Sequence, residues 1–302
     1  SSAASDVYKR QAVVLATGGF GGNEEIVAEQ GWNTDGMRIV GSPNAAGDGY
    51  RIAMDNGACS FMADSAQSIL YAIEAFPPID FHDVAENPLY GYFGIASGGP
   101  VLWVNEACRR YTREDLANDN LALQCLPGKG NKGNYVVFDQ AIFDRFFGKN
   151  DDAKKAFYDA IKANGGGSIY QSDSLADLAG RFNLDADALK AAVDCYNELC
   201  GEGADSDFGK AAGLMVPIET PPFYLAKLSY NYFFSVGGIT TDGRHRVLDG
   251  RRNPIEGLYA IGNDGNMLYR NVYTVNMPGV AFGHQVNSGR EAANAVLEYL
   301  DR

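Results

Sequence analysis

The sequence predicts an α/β fold with an α+β domain inserted into it, on three observations. Two glycine-centred segments stand far apart in the chain, Ala12–Gly22 (AVVLATGGFGG) and Leu258–Gly289 (LYAIGNDGNMLYRNVYTVNMPGVAFGHQVNSG). Each is an apolar strand running into small residues, where bare backbone amides can approach an anionic or planar ligand. Between them, over residues 64–222, the pattern changes to mixed strands and helices with longer loops. The two ends therefore read as one domain, residues 12–63 and 223–302, around an inserted domain, residues 64–222.

The opening SSAASDVYKRQ, residues 1–11, is polar and lacks apolar periodicity, so it reads as a non-native leader. AVVLATGGF reads as a buried parallel strand ending in a glycine turn, and NEEIVAEQG as a short helix capped by Asn23. In NAAGDGYRIAMDNGA, Asp48 precedes an amphipathic helix that stops at Asn56 and Gly57. The start of that helix is a natural place for a polar ligand group.

In the insertion, Val101–Val104 and Tyr135–Phe138 read as strands, and Asp151–Ala163 and Asp185–Cys200 as helices. Leu189, Val193 and Tyr196 share one stripe of the second helix, which is core packing, and Asp185 caps it. GEGADSDFGKAAG is a polar return to the first domain. FYLAKLSYNYFFSVGGITTD then gives a strand, a Gly-Gly turn and a strand, and RHRVLDGRRNPIEGLYAIGND a hairpin and a buried strand. Pro278 opens a final helix running to Tyr299, in which Gly283 and Gly289 allow close packing.

Composition narrows the function. The 302 residues are 46% hydrophobic with 36 Gly, so the chain is globular rather than disordered. A formal net charge of -13 argues against nucleic-acid binding, which needs a basic surface. No apolar run is long enough to span a membrane and no signal peptide is evident, so a cytoplasmic location is the default. Five scattered Cys and three His have no metal-ligand spacing, so no metal is expected and the thiols are read as reduced. The one G-x-G-x-x-G match, Gly128, Gly130 and Gly133, precedes a strand instead of opening a helix and reads as a solvated loop. That weakens a nicotinamide-dependent dehydrogenase reading.

Four features then fall in a recognisable order: Ala16, Thr17, Gly18 and Gly19 at a strand end; Asp48 in a G-D-G turn; Gly262 and Asn263 at a late strand end; and Pro278, Gly279 and Val280 at the last helix start. In that order they resemble the FAD-dependent fumarate reductase/succinate dehydrogenase flavoprotein family, of the FAD-binding 2 type and near its ketosteroid dehydrogenase-like members. The resemblance implies FAD as cofactor, a FAD-binding Rossmann-like domain with a capping domain inserted, and FAD contacts at these residues and at Phe234. It also implies a chain truncated at its N-terminus, because the family begins with a strand, a G-x-G-x-x-G turn and a helix that seat the pyrophosphate. An export signal would be lost with that segment. A truncated chain unable to hold FAD, and so non-catalytic, is the rival expectation. Asp and Asn side chains can bond ribityl hydroxyls, and a helix N-terminus can stabilise charge on the reduced flavin.

GGPVLWVNEACRRYTRED, residues 98–115, resembles the family's capping-domain motif at Asn105, Arg109, Arg110, Tyr111, Glu114 and Asp115, mostly structural positions. Arg113 stands where the pattern has Asn and is assigned to the cleft. The departures bear on substrate. The family's proton-donating Arg falls on Asn118, its proton relay on Gly94 and Ser97, and its carboxylate-binding His and Arg on Phe233 and Tyr273. Holding a dicarboxylate among neutral aromatics would leave buried charge unpaired, at several kcal/mol each, which argues against fumarate. Tyr273 matches the Tyr of ketosteroid dehydrogenases and becomes the expected acid or polarising donor. Tyr269 and Arg270 line the same loop, either as pocket residues anchoring an acid group or as a solvated loop. The expected function is reduction of a bulky or aromatic enoate or enone, with a ketosteroid-type dehydrogenase as the alternative. The expected partners are a small-molecule substrate and a separate electron-donor protein or domain.

Overall fold

A computed structural model describes residues 11–61, 66–76, 95–96, 98–164 and 166–301. Residues 1–10, most of the stretch read as a leader, and Gly94 and Ser97 lie outside the described residues. In chain order the elements are β1 (Val13–Leu15), α1 (Glu24–Glu29), β2 (Arg38–Ile39), α2 (Asp48–Asp55), β3 (Ala66–Ile73), β4 (Leu102–Asn105), α3 (Leu116–Asp119), β5 (Asn134–Asp139), α4 (Gln140–Phe147), α5 (Asp151–Asn164), β6 (Ile169–Ser172), α6 (Leu175–Arg181), α7 (Ala186–Glu202), β7 (Phe223–Val236), β8 (Arg246–Leu248), β9 (Pro254–Ala260) and α8 (Val280–Leu300). The chain divides into two compact units, one of Ser1–Gln30, Gly41–Ser68 and Phe233–Arg302, the other of Gly31–Val40 and Ile69–Tyr232.

In the first unit β1 runs parallel to β9, Val13 opposite Leu258 and Leu15 opposite Ala260, and β8 lies antiparallel on the other side of β9. Leu15, Ala53, Ile239, Val247, Leu258 and Ala260 form its core. Asn23 caps α1, its side chain accepting from the Ile26 amide at 3.1 Å. Burial of β1 is less than expected: Leu15 is buried, but Val13 and Val14 are 42% and 41% exposed, and among the described residues β1 has a strand neighbour on one side only. The cap of α2 also moves. Gly47, left-handed at φ 83°, is its N-cap, and Asp48 is the exposed first helical residue. A Cβ at Gly47 would meet Ile26 Cδ1 at 2.5 Å, so this turn requires glycine. Likewise α8 starts at Val280 after left-handed Gly279, two residues beyond Pro278. Ala292 and Ala295 pack α8 onto Tyr259, while Phe282 and Val286 stay exposed.

The second unit is organised on the fourteen-residue β7. β5 and β6 flank its first half antiparallel, Val136 and Ile169 both opposite Ala226, with β4 outside β5; β2 pairs parallel at Asn231 and Tyr232, and β3 also pairs with β7. Residues 31–40 and 223–232, assigned by the sequence to the first domain, group with this unit because β2 and most of β7 hydrogen-bond into its sheet. Asp185 caps α7 through the Ala188 amide at 2.9 Å, and Leu189, Val193 and Tyr196 are buried. Gly128 is not solvated as expected: a Cβ there would meet the Tyr71 hydroxyl at 2.0 Å, and its carbonyl accepts from the Tyr230 hydroxyl at 3.0 Å.

Two of the polar positions of residues 98–115, Arg110 and Glu114, join a buried charge cluster. Arg110 donates to both Glu114 oxygens at 2.9 Å and to both Asp205 oxygens at 2.8 Å. Buried Lys210 lies 3.2 Å from Glu114 and donates to the Val101 carbonyl at 2.6 Å and the Tyr196 hydroxyl at 2.9 Å. Two cations thus meet two anions with their remaining hydrogen bonds satisfied, which is how charge survives burial. Burial alone would raise the Asp205 carboxyl, but hydrogen bonds from Arg110 and the Lys210 amide outweigh it and bring it from 3.8 down to about 2. Glu114→Gln leaves Arg110 and Lys210 short of one charge and should cost about 3–5 kcal/mol in urea unfolding. Since the Asp205 value is depressed on folding, its stabilisation is complete above 3.8 and is lost as pH falls toward about 2. Acid titration by circular dichroism should therefore show wild-type stability falling in that window, and Asp205→Asn should flatten the fall.

Candidate functional site

The first unit contains a cavity of about 450 Å³. Its walls come from the turn after β1 (Ala16, Thr17, Gly18), the loop before α2 (Ser42, Asn44, Ala45), the end of β7 (Phe233, Phe234), the turn after β9 (Ile261, Gly262, Asn263) and Gln285 of α8. Gly18, at φ 92°, presents bare backbone here: a Cβ would have only Ala45 Cβ nearby, at 3.9 Å. No Lys or Arg is among the lining residues. Bare backbone, two phenyl rings and several neutral amides and hydroxyls suit a planar heteroaromatic ring with a hydroxylated chain, whereas nothing in the lining neutralises a pyrophosphate.

The turn after β1 is held from behind by Asp264, which is 1% exposed. Its carboxylate accepts from the Thr17 amide, from the Thr17 hydroxyl at 3.0 Å and from the Gly19 amide at 2.9 Å. The Thr17 hydroxyl in turn accepts from the Gly49 amide at 3.1 Å, tying α2 to the turn. The Phe20 amide is taken by Ser235 Oγ at 2.8 Å. The amides expected to lie bare for a ligand are therefore corrected at Thr17 and Gly19, both occupied by Asp264. On the facing side Gln285 donates to Asn263 Oδ1 at 3.2 Å, and Asn263 Nδ2 lies 3.5 Å from the Gly18 carbonyl.

Of the residues singled out by sequence, the cavity brings together Ala16, Thr17, Gly18, Phe234 and Asn263. Gly19 is buried behind the turn, and Asp48, Pro278 and Gly279 are exposed and outside the lining. Val280 and Tyr273 pack with Phe234 onto Val236 and Tyr269. The Tyr273 ring stands edge-on to Phe234 at 5.1 Å and to Tyr269 at 5.2 Å, so Phe234 links the cavity to the tyrosine pair. Among the described residues the buried Tyr269 hydroxyl has no hydrogen-bond partner, and burial pushes its phenol up. Arg270 is exposed in the same loop. Arg113 belongs to the second unit, where its guanidinium pairs with Asp115 and Asp119. Among the described residues no group of three or more His, Cys, Asp or Glu could hold a metal, and no helix is long and apolar enough to cross a membrane.

Sequence reading missed Asp264 and Gln285. Asp264 directly follows Gly262 and Asn263, but its partners lie 245 and 247 residues away, so only the folded chain reveals them. Gln285 is a single polar position of α8 with no periodic signal.

A strand-end glycine turn, a neutral cavity and a helix laid beside it define a cofactor-binding domain, and residues 1–275 match the model of the FAD_binding_2 family, the FAD binding domain. The chain belongs to that family of FAD-dependent oxidoreductases, and its cofactor is FAD. It is 27% identical over 316 residues to the vinyl phenol reductase of Lactiplantibacillus plantarum, covering 98% of this chain and 62% of that protein. It is 27% identical over 254 residues to a fumarate reductase (cytochrome) of Shewanella frigidimarina, covering 84% of this chain and 40% of that protein. In fold it is similar to a 3-ketosteroid delta1-dehydrogenase from Sterolibacterium denitrificans, with a TM-score of 0.62 at 22% identity, covering 97% of this chain and 54% of that chain. The chain thus spans less than two thirds of the length of each of these relatives.

Gly19, at φ 86°, has no room for a side chain, since a Cβ would sit 2.5 Å from Ser235 Oγ and 3.2 Å from the Ser235 carbonyl. Gly19→Ala should therefore cost about 1–3 kcal/mol in thermal or urea unfolding, from the left-handed backbone together with the clash.

Proposed function

We propose that the chain reduces a carbon–carbon double bond conjugated to an electron-withdrawing group, in a bulky or aromatic enoate or enone rather than in fumarate. The observation that carries this reading is the aromatic corner of Phe234, Tyr269 and Tyr273 at a cavity with no cationic lining residue. A dicarboxylate there would find no partner for its charges, at a cost of several kcal/mol each, whereas a ring with one polar substituent would bury apolar surface. When bound, FAD supplies hydride transfer. The residues named here would hold it: Ala16, Thr17 and Gly18 by backbone contact, Asn263 by hydrogen bonds to hydroxyls, and Phe233 and Phe234 by ring contact.

Tyr273 is proposed as the acid or polarising donor, delivering a proton to the alkene carbon or hydrogen-bonding the substrate carbonyl. Its ring is held and oriented by edge contacts to Phe234 and Tyr269. Arg270, exposed in the loop of Tyr269 and Tyr273 and outside the cavity lining, is proposed to anchor a single acidic substituent. A separate protein or domain is proposed to supply electrons. The same tyrosine also suits the opposite direction, desaturation of a cyclic ketone, which is the second reading; its support is the position of Tyr273 relative to Asn263.

Titration with FAD, followed by visible spectroscopy, tests the cofactor assignment for this chain. With FAD bound, turnover of an aromatic enoate should exceed that of fumarate. Tyr273→Phe should lower kcat by about a hundredfold or more with little change in KM. Equal turnover by wild type and Tyr273→Phe would remove Tyr273 from the chemistry, and faster fumarate turnover would remove the substrate assignment.

A further inference from the structure

We propose that Asp264 is a positioning residue for FAD that also lowers the reduction potential of the bound cofactor. The inference rests on the reading that the cavity beside the turn after β1 receives FAD. Thr17 and Gly18 line that cavity, and the Asp264 carboxylate is hydrogen-bonded directly to Thr17. Its chain neighbour Asn263 lines the same cavity. The carboxylate therefore lies one residue behind the wall, 1% exposed.

Its compensation differs from that of the acids in the buried charge cluster and is like that of Asp139, which accepts from the Ile142, Glu219 and Thr220 amides. Glu114 and Asp205 face Arg110, and Glu114 also faces Lys210, whereas Asp264 accepts from the amides of Thr17 and Gly19 and from one hydroxyl. No cation among the described residues pairs with it. Amide dipoles orient the turn but leave the negative charge in place. Two consequences follow. The Thr17 and Gly19 amides are withdrawn from ligand binding, so the turn offers Gly18 and its carbonyl to the neutral parts of the cofactor. A fixed anion close to the cavity also opposes the arrival of electrons there, because its field is poorly screened inside the protein.

The test uses the full chain reconstituted with FAD and two variants. Dissociation constants come from flavin fluorescence quenching, and midpoint potentials from equilibration with a reference dye. Asp264→Asn should weaken FAD about tenfold, as loss of charge-assisted hydrogen bonds does, and should raise the midpoint potential. Thr17→Val removes the hydroxyl link while keeping the charge, and should weaken FAD without moving the potential. A purely structural role would leave the potential unchanged in Asp264→Asn, or shift it equally in both variants, and either result overturns the electrostatic claim. If Asp264→Asn does not fold, Thr17→Val still decides the positioning claim, which falls if its FAD affinity equals that of wild type. Wild-type chain that binds no FAD would overturn the cavity reading and this inference together, whereas wild-type binding with unaltered variants would overturn this inference alone.

Discussion

The first unit depends on one buried carboxylate. Asp264 gathers the start and the end of the chain into a single turn, through bonds to Thr17 and Gly19 that span 245 or more residues. The long reach matters energetically, since closing such a loop costs chain entropy that no local contact offsets. Parallel pairing of β1 with β9 fixes the direction of approach, and the Asp264 bonds fix the turn that follows. The bare backbone of Gly18, the neutral wall of the cavity and the attachment of α2 through Gly49 all descend from that arrangement.

The second unit solves the problem of buried charge differently. Arg110, Glu114, Asp205 and Lys210 neutralise one another, and Arg110 also lies over the rings of Tyr196 and Phe208 at 5.3 and 5.1 Å. Such a cluster is sensitive to removal of any member yet carries no net charge, which suits a structural part. The contrast is informative. Within the cluster charge is cancelled by charge, whereas Asp264 beside the cavity, like Asp139 at the start of α4, is met by amides.

What the sequence disclosed followed the range of the interaction. The caps at Asn23 and Asp185 were legible because a polar side chain and the amide it serves lie three residues apart. The stripe of Leu189, Val193 and Tyr196 was legible from helical periodicity. Asp48 was misplaced by one position because the demand for glycine at Gly47 comes from its left-handed backbone, which adjacency does not reveal. Gly128 misled because its burial is set by Tyr71 and Tyr230. In the site, motif order pointed to Ala16, Thr17, Gly18 and Asn263. The residues behind or across from them, Asp264 and Gln285, are defined only by where the fold brings them.

The strand β1 has a practical meaning for anyone handling the protein. Among the described residues β1 pairs with β9 alone, Val13 and Val14 stand in solvent, and α8 adds Phe282 and Val286, one helical turn apart. Surfaces of this kind recruit one another as concentration rises. The net charge of -13 works against that recruitment by mutual repulsion, and salt weakens the repulsion. Colloidal behaviour is thus governed by ionic strength, and buffers of low salt keep these molecules apart while concentrated salt brings these surfaces together.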